Sequence, residues 1–198
     1  TGVFFSISQD EKYEIRMKGI DALKYFSSKY PSIQEKAQNI LMNMLNDEID
    51  EVRIASLKCM AVFDRTLVLD QNSVNIVIFN LKEHNSELRH SIYSFFGHIK
   101  VDEWNTFKIL MNHLLWNMKK FKQDIYGIFK TFQRLGSNHD QLVYDNLDKI
   151  LGHNLKFKRS EPLWDNEDHT AKMIMICSSI HKNEKILEKV PWYFEKQW

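Results

Sequence analysis

The sequence is poor in the residues that interrupt helices, because its 198 residues include only six glycines and three prolines. This shortage predicts many helices and few loops. The two cysteines, Cys59 and Cys177, are too few for a disulfide framework and indicate small buried side chains in a reducing compartment. No run of about eighteen apolar residues occurs, so the sequence predicts no membrane-spanning helix and no membrane partner.

The sequence also lacks an excess of either charge. Lysine and arginine number 27 and aspartate and glutamate 26, which gives a net charge of +1. Dedicated nucleic-acid-binding domains usually carry a clear basic excess, so this balance argues against that class without excluding a local basic patch. The chain begins Thr1-Gly2, with neither an initiator methionine nor a secretory signature, and we expect it to be part of a longer polypeptide.

A short pattern of acid, aliphatic residue and arginine recurs three times. Its copies are Glu14-Ile15-Arg16, Glu51-Val52-Arg53 and Glu87-Leu88-Arg89, with the arginines 37 and 36 residues apart. A fourth, weaker copy begins at Asp124-Ile125-Tyr126, where tyrosine replaces the arginine. Apolar residues follow each arginine by four, seven and ten positions, which is the spacing of one helical face. These residues are Ile20, Leu23 and Phe26, then Leu57, Met60 and Phe63, then Tyr93, Phe96 and Ile99.

A repeat period of this length is typical of stacked helix pairs, and an aliphatic-arginine pair at the start of the second helix is typical of HEAT repeats. The sequence therefore predicts an all-α fold, an α-solenoid of HEAT-type antiparallel helix pairs. We expect a single array over residues 1–198, with about four helix pairs and a leading half repeat. The period fails at 153–167, where we expect an irregular loop.

An acid precedes each arginine of the pattern by six residues. These acids are Asp10, Asp47 and Glu83. Negative charge is favoured at the start of a helix, where backbone N–H groups lack partners. We therefore predict a ladder in which Arg16, Arg53 and Arg89 each reach the acidic turn of the neighbouring repeat. The alternative is a solvated charged face, which would contribute little to stability.

Four local signals mark helix ends. Ser32 and Glu35 have the spacing of a capping box, which predicts a helix beginning at Ser32. Asp70 is predicted to cap the following helix. Gly136 and Gly152 are each predicted to end a helix, because glycine readily adopts the conformation found just beyond the last turn.

Two basic groups are candidates for contact with a partner. The first is Lys119, Lys120 and Lys122, and the second is Lys156, Lys158 and Arg159. Consecutive turns of a solenoid line one edge, so the two groups could form one positive strip, with Trp116 and Phe157 between the cations. Such a strip would contact RNA phosphates or an acidic partner. The alternative is ordinary solvated lysine.

The motifs of several enzyme classes are absent. No cysteine–histidine cluster has zinc spacing, and no His-Glu dipeptide of the kind that di-iron HEAT enzymes need occurs. Neither a glycine-rich phosphate loop nor a Gly-x-Ser-x-Gly nucleophile motif is present. The sequence therefore predicts no enzyme, no catalytic residue, no cofactor and no metal site.

Several motifs, in the same order along the chain, resemble the HEAT-repeat region of the Integrator complex subunit four family. The most specific is the acidic run from Met44 to Arg53, and Tyr13-Glu14-Ile15-Arg16 lies upstream at the family's spacing. Downstream, Leu135-Gly136-Ser137 with His139, Leu142 and Val143 is similar to a short family motif, and Ser160-Glu161-Pro162 occupies the family's loop position. The resemblance covers most of the chain.

This resemblance implies a non-catalytic scaffold subunit of a nuclear complex that processes RNA. The family supports an RNA endonuclease and its inactive partner in cleaving nascent transcripts, including the 3′ ends of small nuclear RNAs. The family binds that pair largely through segments beyond its repeats. Two alternatives remain open: a nucleic-acid-binding module similar to HEAT-like DNA glycosylases, and a transport or condensin-type adaptor.

Overall fold

The structure is a computed structural model, and it describes residues 2–63, 68–152 and 166–194. Within these residues every regular element is an α-helix or a 3-10 helix. The chain divides into two compact units, residues 1–99 and 100–198. Residues 153–165 of the predicted irregular loop lie outside the described residues, and the predicted single array stays a prediction.

The helices of the first unit are α1 (Gly2–Ser8), α2 (Tyr13–Lys29), α3 (Gln34–Asn43), α4 (Asp50–Met60), α5 (Gln71–Phe79) and α6 (Ser86–Phe96). Helices α2, α4 and α6 are the second helices of three successive pairs. Helix α4 packs against both α2 and α6, while α1 packs on α2 and α3 packs on α4. Eight of the nine apolar positions that follow the repeated arginines are buried, and Phe26 is the exception.

Two helix starts in this unit show what the local sequence can and cannot determine. The Asp70 carboxylate accepts a hydrogen bond from the Ser73 N–H at 2.9 Å, which confirms the predicted N-cap. The predicted capping box at Ser32 is wrong. Pro31 opens a 3-10 turn that contains Ser32, and α3 begins only at Gln34, without a side-chain cap. Proline favours the first helical position, so Ser32 lies inside the turn and not at the extended N-cap position.

The helices of the second unit are α7 (Trp104–Lys120), α8 (Ile125–Asn138), α9 (Asp140–Asp145), α10 (Leu147–Leu151) and α11 (Glu167–Ile180), followed by 3-10 turns at Glu184–Glu188 and Trp192–Phe194. This unit is built on the packing of α8 against α11, with α7 in contact with both. None of the helices described in residues 2–63, 68–152 and 166–194 is both long and apolar enough to cross a membrane.

The two glycines predicted to end helices differ in role. Gly152 follows the last residue of α10 with a φ of 73°, which confirms the prediction. The prediction for Gly136 is wrong, because α8 continues through it to Asn138. A Cβ at position 136 would lie 2.0 Å from the carbonyl oxygen of Met175 on α11. Gly136 therefore allows two helix backbones to approach closely.

Candidate functional site

Arg16, at the start of α2, joins two successive acidic turns. Its guanidinium forms an ion pair with Asp47, with Nε 2.7 Å from Oδ2 and Nη2 2.9 Å from Oδ1. Its Nη1 donates to the backbone carbonyl oxygens of Asp10 at 2.7 Å and Glu11 at 3.2 Å. The side chains of Arg16 and Asp47 are only 9% and 8% exposed. A bidentate ion pair that is shielded from water in this way is among the stronger ionic contacts in proteins.

Arg53 makes a looser connection to the next acidic turn. Its Nη1 donates to Asn80 Oδ1 at 3.0 Å and lies 3.5 Å from Glu83 Oε1, while its Nη2 pairs with Asp50 on its own helix. The Glu83 side chain is 44% exposed, so water screens its charge. Asp50 also accepts a hydrogen bond from Asn85 Nδ2 at 2.6 Å. The hydrogen bonds from Asn85 and Arg53 lower the pKa of the Asp50 carboxyl.

Arg89 is buried and repeats the backbone contacts of Arg16. Its Nη1 donates to the carbonyl oxygens of Glu83 at 3.0 Å and His84 at 2.7 Å. These acceptors lie six and five residues before Arg89, as Asp10 and Glu11 do before Arg16. The sequence prediction considered only side-chain partners and missed these carbonyl oxygens. The constant six-residue spacing between acid and arginine was the signal that could have identified them.

The first basic group lies next to acids at the start of α11. Lys119 Nζ is 2.5 Å from Asp168 Oδ2, and Lys122 pairs with Glu167. Lys120 Nζ lies 5.1 Å from the ring centroid of Trp116, a cation–π contact. Acidic side chains of the same chain therefore pair with Lys119 and Lys122. The second group, Lys156, Lys158 and Arg159, lies outside the described residues, and the positive strip stays a prediction.

His139 is buried at the junction of α8 and α9 and bonds on both sides of its ring. Nδ1 lies 2.9 Å from the carbonyl oxygen of Leu135, and Nε2 accepts a hydrogen bond from the Val101 N–H at 3.0 Å. Only the neutral imidazole with its hydrogen on Nδ1 satisfies both contacts. Burial lowers the pKa of His139, with nearby Lys100 acting in the same direction.

The unfolding free energy is expected to fall as the pH drops below about 6.5, the ordinary histidine pKa. Because the folded-state pKa of His139 is lowered, the unfolded chain takes up the proton first. The contribution to stability is complete above the unfolded pKa and is lost as the pH falls toward the folded pKa. Urea unfolding at pH 7.5 and 5.5 should show a smaller pH effect in His139→Gln than in the unsubstituted chain. Equal pH effects in the two proteins would contradict this assignment.

The remaining candidates for chemistry are metal-binding clusters and the thiols of the two cysteines. Among residues 2–63, 68–152 and 166–194, no three histidine, cysteine or acidic side chains come together in a way that could hold a metal ion. Burial raises the pKa of the Cys59 thiol to about 12 and also raises the pKa of Cys177. A protonated, shielded thiol is a poor nucleophile.

Known proteins similar to this chain were found by both sequence and structure. A HEAT repeat family model matches residues 37–67. The chain is 28% identical over 192 residues to the Integrator complex subunit 4 homolog of Dictyostelium discoideum, covering 96% of this chain and 15% of that protein. It is 28% identical over 178 residues to Integrator complex subunit 4 of Homo sapiens, covering 90% and 18%. The chain thus spans about a sixth of the length of these curated relatives.

Among solved structures, the crystal structure of an engineered protein matches with a TM-score of 0.53 at 11% identity, covering 94% of this chain and 87% of the other. This likeness concerns the fold alone. With the HEAT repeat match, it confirms the predicted all-α solenoid of HEAT-type helix pairs. The sequence resemblance to Integrator complex subunit four is also confirmed.

Proposed function

We propose that the chain is a non-catalytic scaffold segment of an Integrator-like nuclear complex. The single observation that carries this proposal is 28% identity, over nine-tenths or more of the chain, to proteins named Integrator complex subunit 4. The shielded Arg16–Asp47 pair supports it, because it stiffens successive repeats and a scaffold must hold its partners at fixed positions. The partners are protein subunits of a complex that cleaves RNA and processes small nuclear RNA 3′ ends. A nuclease and an inactive partner bind through segments outside this chain.

The decisive experiment is affinity purification of the tagged protein from its own cells, after treatment with a nonspecific nuclease that removes RNA bridges. We expect recovery of a metallo-β-lactamase-fold nuclease together with its inactive relative. Depletion of the protein should lengthen small nuclear RNA 3′ ends, and the untagged strain is the control. Recovery of transport receptors or condensin subunits in place of the nuclease pair would support the adaptor alternative and overturn the proposal.

A second candidate, nucleic-acid binding, is favoured by one local feature. Trp116 is 48% exposed and lies beside Lys120, which is an arrangement that can stack a base and contact its phosphate. The pairing of Lys119 with Asp168 and of Lys122 with Glu167 works against it, because those acids compete with phosphate.

The two candidates differ in how strongly charge reversal of the first basic group affects RNA binding. We expect the Lys119→Glu/Lys120→Glu/Lys122→Glu variant to bind single-stranded RNA no more than a few-fold more weakly than a control with the same charge change. The control is Lys18→Glu/Lys24→Glu/Lys29→Glu, on the first unit. Fluorescence anisotropy at two salt concentrations measures both. A selective loss of about a hundredfold or more, with a reduced salt slope, would favour nucleic-acid binding.

A further inference from the structure

The exposed sides of α5 and α7 carry the same three kinds of side chain at equivalent positions. In order along the chain, these are Asn75, Phe79 and Lys82 in one repeat, and Asn112, Trp116 and Lys119 in the next. Each residue of the second set follows its counterpart by 37 positions, and the pattern of buried and exposed residues over 74–82 is repeated over 111–119. We call the two sets the α5 triad and the α7 triad.

Each triad lines one face of its helix, because its members are four and three positions apart. Phe79 is 65% exposed and Trp116 is 48% exposed, and the asparagine and lysine of both triads are exposed as well. Lys82 Nζ lies 5.7 Å from the ring centroid of Phe79, and Lys120 Nζ lies 5.1 Å from that of Trp116. Each face therefore presents a carboxamide, an aromatic ring and an ammonium group together.

The folding of the helices does not account for this recurrence. The buried positions around the triads repeat because they form the core, but the triads themselves face water. Asparagine is a poorer helix former than alanine, and Asn75 and Asn112 lie in the middle of α5 and α7. An exposed aromatic ring contributes little hydrophobic stabilisation. The repeated triad therefore indicates contact with another molecule.

Helix α3 has the same exposed positions with different side chains and so provides an internal comparison. The offset between α3 and α5 is 36 residues, as it is between Arg53 and Arg89. The equivalents of the α5 triad are Asn39, Asn43 and Asn46, and all three are exposed. The first asparagine thus recurs in three helices, whereas the ring and the lysine occur only on α5 and α7.

The charges around the triads favour an acidic partner. Residues 71–82 and 104–120, which contain the two triads, include no aspartate or glutamate, although the chain has 26 acidic residues. The exposed charged residues of these two segments are the cations Lys82, Lys108, Lys119 and Lys120. A carboxylate beside an apolar side chain complements an ammonium group beside an aromatic ring.

We propose that each triad binds an extended acidic segment of a partner protein. The aromatic ring packs against an apolar side chain of the segment, and the lysine beside the ring pairs with a carboxylate. The asparagine carboxamide, which both donates and accepts, bonds to a backbone N–H and C=O that are not used within a helix. RNA fits less well, because Lys119 and Lys122 already pair with Asp168 and Glu167. The inference goes beyond the proposed function, since it depends on this repeated surface and not on the identity of the complex.

A phage-displayed library of random twelve-residue peptides, selected on the 198-residue chain, tests the chemistry of the partner. We expect the enriched peptides to combine net negative charge with aromatic or aliphatic residues. Phe79→Ser/Trp116→Ser should bind the most enriched peptide roughly tenfold or more weakly, whereas Asn43→Ser, at the equivalent position of α3, should bind it unchanged. No enrichment, enrichment of neutral or basic peptides, or equal binding by the two variants would overturn the proposal.

Two further comparisons separate binding from folding. Because both rings are exposed, Phe79→Ser/Trp116→Ser should unfold at the same urea concentration as the unsubstituted chain. Asn75→Ala should weaken binding of the same peptide by about threefold, and Asn39→Ala on α3 should leave it unchanged. Equal affinities of these two alanine variants would contradict the contact between the carboxamide and the peptide backbone.

Photo-crosslinking of the tagged protein in its own cells distinguishes a protein segment from RNA. The probe is p-benzoylphenylalanine, placed in turn at Phe79, at Trp116 and, as the control, at Asn43. We expect the first two positions to cross-link to acidic protein segments, identified by mass spectrometry, with yields about fivefold or more above the control. The cross-links from Phe79 should also fall when Lys82 is replaced by glutamate. Cross-links to RNA, or yields no higher than from Asn43, would overturn the proposal.

Discussion

Replacing Gly136 by alanine is expected to destabilise the second unit by about 3 kcal/mol or more, the upper range for overpacking a core. A Cβ at this position would lie 2.0 Å from the carbonyl oxygen and 3.1 Å from the Cα of Met175. Both are backbone atoms, so no rotation of a side chain can relieve the overlap. Helix α11 would have to move away from α8, and the hydrogen bond between the Ser179 hydroxyl and the Gly136 carbonyl oxygen would lengthen with it.

That hydrogen bond comes from a buried serine on α11. The Ser179 hydroxyl lies 3.1 Å from the carbonyl oxygen of Gly136 and 2.9 Å from that of Met175. Its two acceptors belong to the two helix backbones that meet here. Separation of the helices would therefore remove packing and the hydrogen bond from Ser179 to Gly136, which adds to the cost, while the bond from Ser179 to Met175 within α11 would remain.

Urea unfolding followed by circular dichroism measures the effect, and two substitutions calibrate it. Ser137→Ala, at the next and more exposed position, should change the unfolding free energy by less than about 0.5 kcal/mol. Gly19→Ala should have an intermediate effect, because its nearest neighbour is the flexible Ile7 side chain, at 2.5 Å. If Gly136→Ala proved as stable as Ser137→Ala, the close approach of α8 and α11 would be disproved.

Gly136 also shows where prediction from the sequence stops. The repeat period and the buried face of each helix could be predicted, because both follow from the spacing of residues along the chain. A glycine near the end of a helical pattern, however, can end the helix or admit a neighbouring backbone. The choice here is made by Met175, 39 residues further along the chain. No local pattern contains that information.

The two basic groups illustrate the same limit for the candidate site. The sequence places Lys119 and Lys122 in one turn and so predicts a positive surface. Their acidic neighbours, Asp168 and Glu167, are separated from them by 49 and 45 residues. The pairing depends on how α11 packs against the other helices, which the period does not specify. In the first three copies of the pattern each arginine follows its acid by six residues, and this spacing is visible in the sequence itself. The ladder built on these positions stays a prediction.

Removing Arg16 is expected to lower the free energy of unfolding more than removing Arg53, the equivalent arginine of the next repeat. Arg16→Ala leaves the Asp47 carboxylate without its cation at a position only 8% exposed, and it removes the donor to two backbone carbonyl oxygens. Loss of one partner from a buried ion pair typically costs about 3 kcal/mol or more, because the remaining charge stays desolvated. By the same reasoning, we expect Arg16→Ala to lower the free energy of unfolding of the first unit by about 3 kcal/mol.

Arg53→Ala is the matched comparison, since Arg53 occupies the equivalent position in the next repeat. Its acidic partner in the next turn, Glu83, is 44% exposed and 3.5 Å away. We therefore expect Arg53→Ala to lower the free energy of unfolding by only about 1 kcal/mol. Urea unfolding of both variants, with a double-mutant cycle of Arg16→Ala and Asp47→Ala, separates the pair from the backbone contacts. Equal losses for Arg16→Ala and Arg53→Ala would show that burial of the first pair does not strengthen it. A larger loss for Arg16→Ala, retained at high salt, would show that shielding from water determines how strongly each arginine joins its repeats.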